Sequence, residues 1–177
     1  MHTEIISATT IGVSAHTVHV EVDVAHGMLQ CNIVGLPDTA IKESRQRITT
    51  AIRNSGFRLP DRKITINLAP ADLRKEGTLF DLPIALGILQ AAGCIPMQQA
   101  FLTETVFLGE LSLSGQLKWA KGILPIAYDM ARHGYKRIIV PRENAQEAAL
   151  VPSIEVIGVS SLIELIYYVR NETHIAP

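Results

Sequence analysis

The densest group of chemically active side chains in this sequence is basic and lies between residues 42 and 63. Seven lysines and arginines stand there against two acidic residues, although the whole chain has a formal net charge of −1. The basic residues are Lys42, Arg45, Arg47, Arg53, Arg58, Arg62 and Lys63. Such a concentration of positive charge can bind nucleic-acid phosphates or an acidic face of another protein, and a solvated helix flank is the simpler alternative.

Two other residue patterns suggest chemistry but also have simpler explanations. Residues 75–77, Lys-Glu-Gly, could contact a phosphate or a partner, yet a glycine there equally fits a turn with positive φ. His16 and His19 lie three residues apart in a predicted strand, so they point to opposite faces and no metal site is expected. The sequence has no G-x-x-x-x-G-K-[ST] loop that would bind nucleotide phosphates. We therefore expect no cofactor in this chain itself.

The length fits one soluble domain or two small ones, and the composition predicts an aliphatic core. A domain of this size, 177 residues with 47 % hydrophobic content, buries roughly 70 % of its unfolded surface. The near-neutral net charge argues against binding nucleic acid or a membrane through bulk charge. Cys31 and Cys94 stand far apart and predict neither a disulfide framework nor a zinc knuckle. Since no apolar run of 18 residues and no signal-peptide pattern occurs, a cytoplasmic location is expected.

Strands dominate the predicted first half of the chain. Apolar and polar residues alternate in it as they do in half-buried strands, so the valines of residues 18–24 share one face. A turn at residues 25–28 would join the second and third strands as a hairpin. The predicted strands are residues 5–13, 18–24, 30–34 and 63–69.

A helix is predicted after the third of these strands. Asp38 is placed to cap its start near Thr39, and Gly56 is placed to end it. Its inward stripe is formed by Ile41, Ile48 and Ile52, and one flank by Lys42, Arg45, Thr49 and Arg53. The preceding residues 35–37, Gly-Leu-Pro, are either structural or an exposed tip that docks a partner domain.

Helices and strands alternate in the predicted second half. We expect helices at residues 82–92, 123–132, 144–150 and 161–170, strands at 137–140 and 155–159, and a hairpin with a two-residue turn over 106–118. Together the two halves predict a mixed α/β sandwich with helices packed on a sheet. Residues 171–177 lose periodicity, as a linker or a frayed end would.

The second half also resembles a known family, the Lon peptidase domain, whose fold belongs with domain 2 of ribosomal protein S5. Residues 106–117, VFLGELSLSGQL, are similar to the Lon hairpin with its "GE-x-x-L-x-G" pattern. The match continues through the helix at 123–132 and a glycine turn to residues 138–144, IIVPREN, similar to the Lon strand that ends in Pro-x-Glu-Asn. The resemblance implies a Lon-like, S5 domain 2-like α/β sandwich over residues 4–170.

The first half resembles one branch of this group, the Mg-chelatase-related ComM/YifB family. The similar stretches are residues 34–47, VGLPDTAIKESRQR, residues 54–57, NSGF, and residues 66–85, INLAPADLRKEGTLFDLPIA. In that family a Lon-like N-terminal domain precedes an AAA+ ATPase, and ComM is associated with branch migration of DNA during natural transformation. The resemblance implies that ATP and Mg²⁺ belong to an ATPase domain beyond residues 171–177.

The Lon resemblance also locates the two positions of the proteolytic dyad. Lon cleaves peptides with a serine nucleophile at a helix start and a partly desolvated lysine base. Matching the loop and the following helix puts Asp81 at the nucleophile position, and counting on from the hairpin puts Leu124 at the lysine position. No serine lies in residues 56–111. The resemblance therefore implies that both dyad members are replaced, and a displaced dyad of Thr78 with Lys121 is the alternative.

These observations lead to one main hypothesis and two alternatives. The main hypothesis is a non-catalytic Lon-like module, a pseudo-protease, of a homo-oligomeric ATP-driven DNA motor. The module would bind DNA or a partner, or assemble the motor. Its expected partner is the AAA+ domain of the same polypeptide, and no membrane contact is expected. The alternatives are a Ser/Thr-Lys peptidase and a purely structural scaffold. Asp81 is expected to be an N-cap of the helix at 82–92. The binding candidates are Lys42, Arg45, Arg47, Arg53, Arg58 and Lys63.

Overall fold

The computed structural model describes residues 1–59 and 61–177. It contains a seven-stranded mixed sheet with helices on both faces. The strands are β1 (His2–Ile11), β2 (Ser14–Ala25), β3 (Gln30–Val34), β4 (Lys63–Ala69), β5 (Thr105–Phe107), β6 (Glu110–Leu111), β7 (Leu117–Lys118), β8 (Arg137–Pro141) and β9 (Glu155–Val159). The helices are α1 (Thr39–Asn54), α2 (Asp81–Ala91), α3 (Gln99–Glu104), α4 (Ile123–Arg132), α5 (Ala145–Ala148) and α6 (Leu162–Val169), with a 3-10 turn at Arg142–Asn144. The predicted α/β class is confirmed.

The strand order in the sheet is β3-β4-β2-β1-β5-β8-β9. The central pairs β1–β2 and β2–β4 are antiparallel, and the four outer pairs are parallel. The predicted alternation in the second strand is confirmed, because the four valines at 18, 20, 22 and 24 are buried while the residues between them are partly exposed. The predicted strands at 30–34, 63–69 and 155–159 have the observed bounds.

The predicted hairpin between the second and third strands is wrong. β3 does not pair with β2 but lies beyond β4, with which it is parallel. β4 offers β2 a seven-residue antiparallel register that buries Ile64, Ile66 and Leu68. β3 has only five residues, none of them fully buried. The strand that buries more apolar surface therefore takes the inner position, and β3 is left at the edge.

The first core lies between one face of the sheet and helices α1 and α2. Asp38 caps α1 by accepting a hydrogen bond from the Ile41 amide at 2.8 Å, as predicted, and Gly56 follows the helix with a φ of 88°. α2 is buried almost all round, which confirms the predicted central helix. At Gly87 an added Cβ would lie 2.5 Å from Val22 Cγ2, so this glycine lets α2 approach β2 closely.

The second core lies on the opposite face of the sheet, where α4 and α5 pack. Only part of the predicted hairpin at 106–118 is confirmed. β5 joins the main sheet, and β6 pairs with β7 across five residues, 112–116, instead of a two-residue turn. Helix α3 was not predicted. No helix within the described residues is long and apolar enough to cross a membrane.

Candidate functional site

The Asp81 carboxylate, at the predicted nucleophile position, is buried and fully occupied by internal donors. Its side chain is 1 % exposed. Arg47 donates to it through Nε at 2.7 Å and Nη2 at 2.9 Å, and the Leu111 amide donates at 3.0 Å. The predicted N-cap is wrong, because Asp81 is already inside α2 and its side chain caps no helix amide. A planar guanidinium that matches both carboxylate oxygens competes successfully with the single amide bond of a cap.

Burial and hydrogen bonding shift the pKa of Asp81 in opposite directions. Burial raises the pKa of the Asp81 carboxyl, and the hydrogen bonds from Arg47 and the Leu111 amide oppose that rise. The same contact raises the pKa of Arg47. The two groups form a partly buried bidentate ion pair, with Asp81 buried and Arg47 24 % exposed, that joins α1 to the start of α2 and, through the Leu111 amide, to β6. An acceptor-only carboxylate in such a pair has no proton to give and no free path to a substrate carbonyl.

Thr78, half of the proposed displaced dyad, lies beside this ion pair. Its hydroxyl donates to Glu110 Oε2 at 2.5 Å. Lys121 is exposed in the turn before α4. Among the hydrogen bonds of the described residues, lysine ammonium groups donate to Gly35, Pro70 and Glu104, and none donates to a serine or threonine hydroxyl. We call Arg47, Thr78, Asp81, Glu110 and the Leu111 amide the Asp81 network.

Leu124, at the predicted lysine position, belongs to another part of the molecule. It lies on α4 and packs against the second core. It also lines an open cavity of about 810 Å³ with neighbours from α4, the β1–β2 turn and residues 150–153, and Asp81 is not among them. Among the described residues, the two positions predicted to correspond to the Lon dyad therefore do not line the same cavity.

Lys75 is buried, and the hypothesis that it contacts a phosphate is wrong. Its side chain is 0 % exposed, and its ammonium donates to the Gly35 carbonyl at 2.7 Å and to the Pro70 carbonyl. Burial lowers the pKa of Lys75, and Asp72 partly opposes this effect. Gly77 has a φ of 88°, which confirms the turn explanation for that residue.

The Lys75 loop holds the Gly-Leu-Pro segment before α1. The Lys75 amide donates to the Leu36 carbonyl, and the Asp38 amide donates to the Lys75 carbonyl. Asp38 also accepts from the Gly77 amide through its second carboxylate oxygen. The resembling stretches VGLPD and RKEG are therefore partners in one backbone arrangement, with Leu36 itself 54 % exposed.

Six of the seven basic residues of segment 42–63 form an exposed surface, which we call the basic surface. Its members are Lys42, Arg45, Arg53, Arg58, Arg62 and Lys63. Within residues 1–59 and 61–177, Arg47 alone of the seven forms an ion pair with a carboxylate. Arg53 and Arg58 line a cavity of about 410 Å³ with Leu29 and Asp61, and Arg58 and Arg62 line a neighbouring cavity of about 400 Å³.

Sequence reasoning grouped Arg47 with the binding candidates and missed its pairing with Asp81. The helical spacing carried a usable signal, since at about 100° per residue Arg47 lies roughly 160° round α1 from Arg45. It is therefore on the opposite flank from the exposed cations. The Thr78–Glu110 and Lys75–Gly35 contacts had no such signal, because each joins residues more than 30 positions apart in the sequence.

The histidines lie as predicted on opposite faces of β2. His16 is exposed, and His19 Nδ1 lies 2.8 Å from Glu4 Oε1 on the neighbouring strand. No group of three or more metal-ligating side chains is found in the described part of the chain.

The fold is a mixed α/β domain in which an ion pair occupies the position predicted to correspond to the Lon nucleophile. A family model described as subunit ChlI of Mg-chelatase matches residues 20–144. The chain belongs to this ChlI family.

Relatives within the group confirm the expected resemblance. The chain is 37 % identical to competence protein ComM of Haemophilus influenzae over 94 % of its length, and 43 % identical to the uncharacterized protein YifB of Escherichia coli over 80 %. It is 31 % identical to Lon protease 2 of Bacillus subtilis over 71 %. The matched region covers 32 %, 27 % and 22 % of these relatives, so the chain spans a third of their length or less.

Proposed function

We propose that this chain is a non-catalytic Lon-like module that serves an ATP-driven DNA motor by binding DNA or a partner, or by assembling its subunits. The observation that carries the proposal is the ion pair of Arg47 with the buried Asp81 at the predicted nucleophile position. Membership of the ChlI family and similarity to a competence protein support the AAA+ part of the proposal. The AAA+ domain, its ATP and Mg²⁺, the homo-oligomeric state and the cytoplasmic location of the whole protein are parts of the same proposal.

The absence of peptidase chemistry rests on how the polar groups near α2 are used. Asp81 accepts three hydrogen bonds from within the domain, and the Thr78 hydroxyl donates to a carboxylate. A hydroxyl nucleophile needs a base that accepts its proton and a free approach to the substrate carbonyl. The Thr78 hydroxyl donates a hydrogen bond to the Glu110 carboxylate, and no lysine side chain joins this contact within the described residues.

A peptidase assay tests the non-catalytic part of the proposal. The purified chain is incubated with fluorescently labelled casein, beside Thr78→Ala and Lys121→Ala variants. We expect no release of fluorescence above a buffer control from any of the three. Cleavage by the unmodified chain that either substitution abolishes would establish the displaced dyad and reject the proposal.

The binding part of the proposal rests on the basic surface. Its six cations are exposed and none pairs with a carboxylate in residues 1–59 and 61–177. Lys42, Arg45 and Arg53 lie on one flank of α1, where an extended ligand can meet several of them together. Exposed cations with no carboxylate partner lose little when a phosphate or a carboxylate replaces their water.

Salt-titrated DNA binding separates the binding module from a purely structural scaffold. Each phosphate contact contributes about 0.9 to the slope of log affinity against log salt for duplex DNA, so Arg45→Ala with Arg53→Ala should reduce the slope by roughly one to two units. Lys118→Ala with Lys121→Ala removes two exposed cations elsewhere and serves as the matched control. An unchanged slope in the first variant would remove Arg45 and Arg53 from any DNA interface.

A further inference from the structure

The edge strand β3 is paired on one side only, and Arg45 is the one side chain of the described residues that donates to a β3 carbonyl, that of Cys31. The strand pairs only with β4, and its sequence, Gln-Cys-Asn-Ile-Val, contains no proline and no charged residue. Soluble proteins usually protect such an edge with lysine, proline, a bulge or a covering loop, because free N–H and C=O groups recruit another strand. Every residue of β3 is at least partly exposed.

Exposed apolar side chains are concentrated at both ends of this strand. Met28 is 89 % exposed and Leu29 57 % before it, and Val34 is 47 % and Leu36 54 % exposed at its end. These are four large apolar side chains within nine residues on the surface. Apolar groups gathered beside an open sheet edge are typical of a binding surface.

The opposite edge of the sheet has a different construction. β9 begins with Glu155, which pairs with Arg137, and its remaining four residues are buried. The 3-10 turn and α5 pack so closely on it that a Cβ at Gly158 would lie 2.8 Å from Ala145 Cβ. The fold therefore covers one edge strand and leaves the other open.

The charges around β3 decide which kind of strand fits it. Arg45 Nη1 donates to the Cys31 carbonyl at 2.9 Å, and Lys63 lies opposite Gln30 in the β3–β4 register. Leu29 lines a cavity with Arg53 and Arg58, and Asp61 is the single acidic residue there. A second copy of this chain would bring the same cations face to face, which disfavours a β3–β3 dimer. A strand that carries carboxylates beside apolar side chains complements this edge.

We propose that β3 is a docking edge for an extended acidic and apolar peptide segment of another polypeptide, which adds to the sheet as an eighth strand. The inference rests on the proposed function, because it names the partner class of the binding module. Backbone hydrogen bonds to the outer side of β3 supply affinity, the residues at 28, 29, 34 and 36 contact apolar side chains, and the basic surface contacts the carboxylates.

The first experiment uses model peptides as probes. A labelled ten-residue peptide of alternating Val and Glu is titrated with the chain by fluorescence anisotropy, beside a Val-Lys peptide and a Val-Glu peptide with N-methylated backbone amides. We expect the Val-Glu peptide to bind at least about tenfold more tightly than either control, equal to about 1.4 kcal/mol. Amide hydrogen exchange of residues 30–34 should slow on binding. Equal binding of the N-methylated peptide would contradict strand addition.

The second experiment changes the chain. Met28→Glu with Leu29→Glu removes two exposed apolar groups and repels an acidic segment, and we expect it to weaken Val-Glu binding by at least about tenfold. Both side chains are exposed, so the variant keeps its core. Val13→Glu with Leu150→Glu makes the same change at two apolar side chains that are 94 % and 72 % exposed elsewhere, and should leave binding unchanged. An equal loss in both variants would overturn the proposal.

Competing occupants give distinct results. A dimer in sedimentation that Met28→Glu with Leu29→Glu dissociates would assign β3 to a second copy and overturn the acidic segment. Duplex DNA that competes with the peptide, together with loss of DNA binding in that variant, would assign the edge to nucleic acid. Casein cleavage would reject the proposed function while leaving peptide addition measurable, so the two failures are distinguishable.

Discussion

The two flanks of helix α1 have opposite chemical states. On one flank Arg47 forms a bidentate contact with buried Asp81, and the whole Asp81 network is satisfied within the domain. On the other flank Lys42, Arg45 and Arg53 face solvent beside the open edge of β3. Arginine therefore has two roles on one helix. On one flank it stabilises the fold, and on the other it is available for binding. The predicted nucleophile position therefore serves a structural contact, and the cations that face solvent lie on the side of α1 near β3.

The largest expected effect comes from removing the partner of Asp81. Arg47→Ala leaves a carboxylate that is 1 % exposed with one amide donor, and should lower the free energy of unfolding by about 3–5 kcal/mol, measured by urea unfolding. Arg53→Ala, on the exposed flank of the same helix, should change it by less than about 0.5 kcal/mol. Similar values for the two variants would contradict the difference between the flanks.

The next effect concerns Gly35, where β3 meets the Lys75 loop. This glycine has a φ of 96°, and a Cβ there would lie 2.2 Å from the Leu68 carbonyl oxygen. Gly35→Ala should therefore destabilise by at least about 2 kcal/mol, through left-handed backbone strain and the contact with β4. Gly12 has a φ of 61° with nothing within 4 Å, so Gly12→Ala should cost only about 1 kcal/mol. Equal thermal shifts would show that the contact with Leu68 is unimportant.

The elements could be predicted from sequence far better than their contacts. Period-two and helical spacing gave β2, β4, α1 and α4 because their apolar residues face one core each. The place of β3 could not be predicted, since strand order depends on which partner buries more surface. The place of Asp81 at the start of α2 could be predicted from sequence, but its contact with Arg47 could not, because an aspartate at a helix start fits a cap and an ion pair equally well.

A paired replacement distinguishes two reasons why loss of Arg47 would destabilise the domain. One is the lost attraction between Arg47 and Asp81, and the other is the cost of leaving the buried Asp81 charge unpaired. Arg47→Met alone should be nearly as harmful as Arg47→Ala, since Asp81 keeps its buried charge. Arg47→Met with Asp81→Asn removes both charges and keeps an acceptor for the Leu111 amide. Replacing a buried ion pair by neutral groups is often close to neutral, so the double variant should lie within about 1.5 kcal/mol of the unmodified chain in urea unfolding. A double variant as unstable as Arg47→Met would show that the pair itself stabilises the domain.

The smallest effect is a slope in pH that belongs to Lys75. Because burial lowers the pKa of Lys75 in the folded chain, the unfolded chain binds more protons between that pKa and the ordinary value of about 10.4. The free energy of unfolding therefore rises with pH across that window, by at most about 1.4 kcal/mol per pH unit. Below the window, the cost of burying the Lys75 charge is fully present. Lys75→Met has no such proton to lose. This variant should be less stable at neutral pH because it loses the hydrogen bonds to Gly35 and Pro70. Urea unfolding from about pH 7 to pH 10 measures the difference in free energy of unfolding between the two proteins. That difference should widen as the pH rises. A constant difference across this range would mean that Lys75 keeps its ordinary pKa and that its ammonium reaches solvent. Lys75 would then be an exposed cation, like those of the basic surface.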